Sequence, residues 1–176
     1  QDRSGTFHLV YLAGNDVHYV RSDGEGMGWT GPVIVGKARG TTRTGGPRLG
    51  IGSDGRIHVV WDEWPMDGDP AQSSEVHYAH SSDGGTSWST TTIDDTTECG
   101  DDASLVIDSG GNYLVAYNDY TNKYLRFAKS ADGVTWTKTT VDSGGDIDSH
   151  NLPISLTIDN LGNYLIAYQT NNQNLE

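Results

Sequence analysis

Apolar and polar residues alternate along short runs of this chain, and the runs recur. GRIHVVWDE (Gly55 to Glu63), GNYLVAYND (Gly111 to Asp119) and GNYLIAYQT (Gly162 to Thr170) are copies of one pattern, and GTFHLVYLA (Gly5 to Ala13) is a fourth. Their closing rings, Tyr11, Trp61, Tyr117 and Tyr168, are spaced by 50, 56 and 51 residues. Three copies follow another apolar run, PRLGIGSD, ASLVIDSG or ISLTIDNL, in which Ile51, Ile107 and Ile158 stand ten residues before the closing ring. Three are followed by VHYVRS, EVHYAHS or KYLRFAKS, then by a glycine-rich turn ending in Trp29, Trp88 or Trp136, then by PVIV, STTTI or KTTV. Period-two alternation with β-branched and aromatic residues predicts half-buried strands. No run predicts a helix of useful length.

Four antiparallel strands repeating every 50–60 residues predict an all-β chain, a β-propeller of four-stranded blades. We name the strands of a blade A to D from the inside outwards. The order is B, C, D, then A to D twice, then A, B: about three blades in a single domain spanning 1–176, with segments near 5–36, 46–94, 102–142 and 153–176. Three blades do not close around a filled axis, and open sheet edges invite pairing. The chain is therefore expected to be a partial propeller or half of a six-bladed ring closed head to tail as a homodimer.

The turn SSDGGTSW (Ser81 to Trp88) places a large ring at the end of a polar loop, and SADGVTW (Ser130 to Trp136) repeats it. Glycine supplies positive φ, Asp83 and Asp132 can accept backbone N–H groups, and Trp88 and Trp136 fold back as pegs between sheets. Ser81-x-Asp83-x-Gly85-x-x-Trp88 matches the Asp-box, or bacterial neuraminidase repeat. Ser130, Asp132 and Trp136 match it with one residue deleted, and Ser22 to Trp29 is a copy with Gly24 in place of the aspartate. Over essentially its whole length the chain resembles the sialidase-like propellers. That resemblance implies six blades and a structural role for the boxes. It also implies sugar chemistry on the opposite face, with three arginines on a carboxylate, a tyrosine nucleophile activated by glutamate, and an aspartate acid/base. The family's Phe/Tyr-Arg-Ile-Pro motif is missing.

Composition narrows the partners. A net charge of −13 argues against nucleic acid. No segment has the ~18 consecutive apolar residues of a membrane span. Cys99, the single cysteine, forms no intrachain disulfide framework. The chain starts at Gln1 without a signal peptide, which reads as a processed or excised product, and the expected location is extracellular or at the cell surface.

Candidate chemistry lies in the D-to-A and B-to-C loops. The first D-to-A loop carries Lys37, Arg39, Arg43 and Arg48, with no acid between Glu25 and Asp54. Arg43 and Arg48 are candidate carboxylate ligands; the alternative is that they balance acidic neighbours. The next two loops are acidic. Counting back from the isoleucines makes Arg43, Cys99 and His150 equivalent, and gathers Glu98, Asp101, Asp102, Asp146, Asp148 and His150. Glu98, Asp101, Asp148, His150 and Tyr120 are the candidate catalytic groups for glycoside hydrolysis. No cofactor is required; the clustered carboxylates could also hold calcium, which favours oxygen ligands, and solvated turns are the plain alternative. The B-to-C loop from Asp62 to Glu75 offers Trp64 beside Asp62, Glu63, Asp67 and Asp69 as a sugar platform or a plug on the next blade. His8 and His58, and His18 and His77, sit at equivalent repeat positions, which argues for scaffold use.

Three functions stay open: a glycan-recognition propeller; a hydrolase of exo-sialidase type, or a lyase, acting on an acidic glycan; and an incomplete or self-assembling scaffold.

Overall fold

The computed structural model describes residues 1–40, 42–65, 73–96, 99–100, 102–144 and 153–170. Fourteen strands and no helix are present among them. β1 (His8–Ala13), β2 (Asp16–Arg21) and β3 (Val33–Gly36) form the first antiparallel sheet. β4 (Thr42–Thr44), β5 (Arg48–Ile51), β6 (Ile57–Pro65), β7 (Glu75–Ser81) and β8 (Ser89–Asp94) form the second. β9 (Ser104–Ile107), β10 (Tyr113–Asp119), β11 (Tyr124–Ser130) and β12 (Thr137–Asp142) form a four-stranded third, in the order β12-β11-β10-β9. β13 (Ser155–Ile158) and β14 (Tyr164–Ala167) form the fourth. The short strands β5, β9 and β13 are neighbours and form an inner layer.

The sheets stack face to face, and alternation assigns each side chain to an interface. Ile57, Val59 and Trp61 of β6 pack on Val17, Tyr19 and Val35 of the first sheet. Val60, on the other face of β6, packs with Val76 and Tyr78 against Tyr113, Val115 and Tyr117 of the third. Leu114, Ala116 and Leu125 meet Ile154 and Leu156 at the last interface. β6 and β10 are thus apolar on both faces.

The glycine-rich turns lock these interfaces. Ser81 Oγ accepts the Gly85 N–H at 2.8 Å, and Asp83 Oδ1 accepts the Thr86 and Ser87 N–H groups at 3.0 and 2.9 Å. Bonds from Ser87, Ser81 and Thr86 hold the Asp83 carboxyl well below its usual range. Ser130 and Asp132 repeat the pattern. Trp88 then stands edge-on to Tyr19 of the preceding sheet, ring centres 5.2 Å apart, and Trp136 stands the same way on Tyr78, also at 5.2 Å. Gly85 lies so close to Tyr19 that a Cβ would come within 2.0 Å of the ring.

One strand was not anticipated. β4 joins the same edge of β6 as β5, pairing Thr42, Arg43 and Thr44 with Pro65, Trp64 and Glu63. Asp62, Glu63 and Trp64 therefore belong to a strand, correcting the expectation that a loop begins at Asp62. With β4 on one edge and β7 on the other, the Glu63 backbone is paired on both sides, and Trp64 and Pro65 extend beyond β7 on the β4 edge alone.

Candidate functional site

At the β4 end of β6 the two faces carry different chemistry. One face, toward the first sheet, gathers a charged cluster. Glu63 is buried and paired across strands with Glu75. Its Oε1 accepts the Arg39 backbone N–H at 2.7 Å and the Thr42 hydroxyl. His77 Nε2 lies 3.3 Å from Glu63 and 3.4 Å from Glu75, and the Arg39 guanidinium bonds Glu75. Burial raises the Glu63 pKa, but the bonds from His77, Thr42 and Arg39 outweigh it and hold the group at about 2. The His77 ring stacks on Trp61 at 5.2 Å.

The opposite face carries Arg43, Arg48, Asp62 and Trp64 together. Cross-strand partners share a face, and so do residues two apart in a strand. Arg48 pairs with Val60 and Arg43 with Trp64, so these two arginines flank the Val60–Asp62–Trp64 row. The Arg43 and Arg48 positions are separated by four strand steps along β6, about 13 Å. Both arginines are exposed and Trp64 is half-buried. Asp62 is buried between two glycines: a Cβ on Gly45 would meet its carboxylate at 2.0 Å, and one on Gly100 its Cβ at 2.7 Å. Arg48 Nη2 reaches across to Asp102 Oδ1 at 3.6 Å, just before β9, where Asp102 adopts φ 54°.

Tyr120 lies elsewhere, in the β10–β11 turn behind Asp119. Asp119 is buried, receives Arg126 through Nε and Nη2 at 2.9 and 2.6 Å, and accepts the Asn122 N–H at 3.0 Å. Glu98, Asp101, Asp146, Asp148 and His150 lie outside the described residues, as do Asp67 and Asp69. Among the described residues no group of three histidine, cysteine or carboxylate side chains is set to hold a metal. Cys99 is buried, its thiol directed at the Asp94 carbonyl at 3.3 Å, and burial pushes its pKa up to about 12.

The counting that aligned Cys99 with Arg43 is off by one. Gly45 and Gly100 donate to the equivalent carbonyls of Asp62 and Asn118, each at 2.8 Å, and Cys99 bridges Asp119 as Thr44 pairs with Glu63. The segment from glycine to inner strand is one residue longer in the third sheet, so a count from the strand misplaces the loop.

Both histidine pairs occupy equivalent places in their sheets, but their surroundings differ. His8 and His58 each meet a tyrosine hydroxyl, of Tyr19 or Tyr78, through Nδ1 at 2.7 Å. His18 and His77 both stack on the closing ring of the preceding strand, but His77 also meets the carboxylates of both Glu63 and Glu75. Sequence reading missed His77, Glu75 and Arg39; the signal was the register that sets Glu63 against Glu75.

No protein-family model and no curated protein matches the sequence. Solved structures do match the fold. A protein of unknown function from Dyadobacter fermentans is 18% identical with a TM-score of 0.63, over 91% of this chain and 47% of that one. The α-L-arabinanase of Penicillium chrysogenum, complexed with arabinobiose, is 17% identical at 0.60, over 93% and 53%. The NanB sialidase of Streptococcus pneumoniae is 17% identical at 0.51, over 87% and 23%. The all-β fold is similar to that of propeller enzymes that include glycoside hydrolases. An arabinanase and a sialidase match alike, so the likeness is not specific to the sialidase family. The chain spans about half or less of the length of these structures.

Proposed function

We propose that this chain is a glycan-recognising propeller whose ligand lies along the β4–β6 end of the second sheet. The observation that carries the reading is the shared face of Arg43, Arg48, Asp62 and Trp64. Two exposed arginines whose backbone positions are set by the strand register suit the carboxylates of an acidic glycan. A half-buried indole beside Arg43 offers a sugar a flat apolar surface, and the buried Asp62 stands between the two arginine positions. The fold's likeness to glycoside hydrolases supports sugar as the ligand class.

Hydrolysis of such a glycan is the second reading, favoured by the buried Asp62 carboxylate on that face. A panel of acidic glycans with neutral arabinan and xylan, read by calorimetry and by release of reducing ends, separates the two. Binding to acidic members without product, weakened tenfold or more by Arg43→Ala or Arg48→Ala, supports recognition. Product release supports hydrolysis. Absence of binding to every glycan refutes both.

A further inference from the structure

The turns that follow the inner strands repeat a brace, and one turn omits it. In the third sheet Asp108, directly after β9, accepts the Gly110 and Asn112 N–H groups at 2.9 and 2.8 Å. In the fourth, Asp159, directly after β13, accepts the Leu161 and Asn163 N–H groups, both at 2.8 Å. Gly52 holds that position after β5. The same backbone bond closes all three turns, from Gly52 to Arg56, Asp108 to Asn112 and Asp159 to Asn163. Gly52 is not at positive φ, so its backbone does not call for glycine. What glycine provides there is space. A Cβ on Gly52 would come within 2.6 Å of Asp54 Oδ1 and 3.2 Å of His58 Nε2.

A cavity of about 180 Å³ opens at this place, between the β5–β6 and β9–β10 turns, lined by Ser53, Asp54, His58, Ile107, Ser109 and Tyr113. It has room for about six water molecules at ~30 Å³ each. His58 is its buried polar wall. The equivalent His8 shows what the outer ring nitrogen takes: beyond the bond of Nδ1 to Tyr19, its Nε2 meets the Asp2 carboxylate at 3.1 Å. His58 makes the matching bond to Tyr78. Its Nε2 has no partner like Asp2 among the described residues and borders the cavity instead. Asp54 borders the same space, its Oδ1 accepting the Arg56 N–H at 3.1 Å and its Oδ2 lying 3.5 Å from Arg56 Nε.

We infer that this cavity binds a small neutral polyol, up to a single pentose, with one hydroxyl set between His58 Nε2 and Asp54. A hydroxyl suits both walls, because it accepts from an imidazole N–H and donates to a carboxylate. An anion would meet the Asp54 carboxylate as a like charge. Burial also holds His58 neutral at pH 7, with a pKa of about 4, so the imidazole offers an anion no charge in return. Ser53 and Ser109 add hydroxyl partners, and Ile107 and Tyr113 give the carbon skeleton an apolar wall. His58 lies six strand steps from Trp64 along β6, about 20 Å. The site is therefore separate from the face of Arg43, Arg48 and Trp64, and the inference is independent of the glycan reading.

Titration of glycerol, erythritol and arabinose into the isotope-labelled protein, read at the His58 ring resonances by NMR, tests it. A readout at His58 excludes binding at the distant arginine face. The expected result is a saturable shift of His58 with at least one of the three. Gly52→Ala, which fills the space, and Asp54→Ala, which removes the acceptor, should each weaken that binding tenfold or more. Circular dichroism of both variants should match the wild type, since two equivalent turns carry a side chain at the Gly52 position and Asp54 is exposed. If Gly52→Ala does not fold, Asp54→Ala decides. A His58 signal that none of the three polyols moves would overturn the inference. Binding that either folded variant leaves undiminished would overturn it, as would a His58 shift produced by acetate or zinc ion but not by the polyols.

Discussion

Replacing His58 by leucine together with Tyr78 by phenylalanine should remove a defined part of the protein's pH dependence while leaving its stability at neutral pH nearly intact. His58 is 1% exposed, and its Nδ1 meets the Tyr78 hydroxyl at 2.7 Å. Burial lowers its pKa from 6.5 to about 4, only partly offset by Asp54 and reinforced by His80 and Arg56. The folded protein therefore refuses a proton that the unfolded chain accepts. Stability from this site is complete above the unfolded value of 6.5 and declines as pH falls toward about 4. Between about pH 7.5 and about pH 5 the loss is about 2 kcal/mol. Glu63, held at about 2, titrates below this window; His80, also lowered, remains in both proteins as a smaller background. Either single substitution orphans one buried polar group, at a cost of about 1–3 kcal/mol. The double variant orphans neither, and the third sheet already carries that combination as Leu114 and Phe127. Urea unfolding followed by tryptophan fluorescence at the two pH values measures each quantity. If the double variant loses as much stability on acidification as the wild type, His58 is not the buried base described here.

Three further outcomes are expected. Gly85→Ala and Gly55→Ala both force alanine to positive φ, +88° and +80°, but only Gly85 faces a ring at 2.0 Å. Gly55→Ala should cost about 1–2 kcal/mol and Gly85→Ala about 1–3 kcal/mol more; equal losses in urea titration would contradict the close packing on Tyr19. Glu63→Gln should flatten the stability profile between about pH 4.5 and about pH 2, because the carboxylate's folded pKa of about 2 is depressed from 4.5 and its stabilisation is lost as pH falls. Cys99 should resist a thiol reagent at pH 8 in the native protein and react at once in denaturant; rapid native labelling would refute its burial.

The strands were legible because most are apolar on one or both faces, and alternation is a local signal. β4 was not. Thr42, Arg43 and Thr44 have no apolar rhythm, and what makes them a strand is the edge of β6 and the close pass of Gly45 over Asp62. Asp62 to Pro65 looked like a loop for the same reason: polar residues before a proline end a pattern unless a distant segment pairs with them. Arg43, Arg48, Asp62 and Trp64 could be picked out by residue type, whereas their common face depends on register, which no local spacing contains. His77 resembled a duplicate of His18 because the repeat aligns them. The opposing positions are Ala13 and Asp16 in the first sheet but Glu63 and Glu75 in the second, and that contrast emerges only across strands.

The pairing of β4 with the end of β6 has a thermodynamic consequence for whatever binds there. Arg43 is carried by a strand hydrogen-bonded into the sheet, so its backbone has surrendered its conformational freedom before any ligand arrives. Association at this edge need order only side chains, each at about 0.5–1.5 kcal/mol, with no added loop-ordering term. Selectivity then follows from how well a ligand's charge spacing fits a ruler graduated in strand steps. A ligand of the wrong length meets a surface that does not adjust to it.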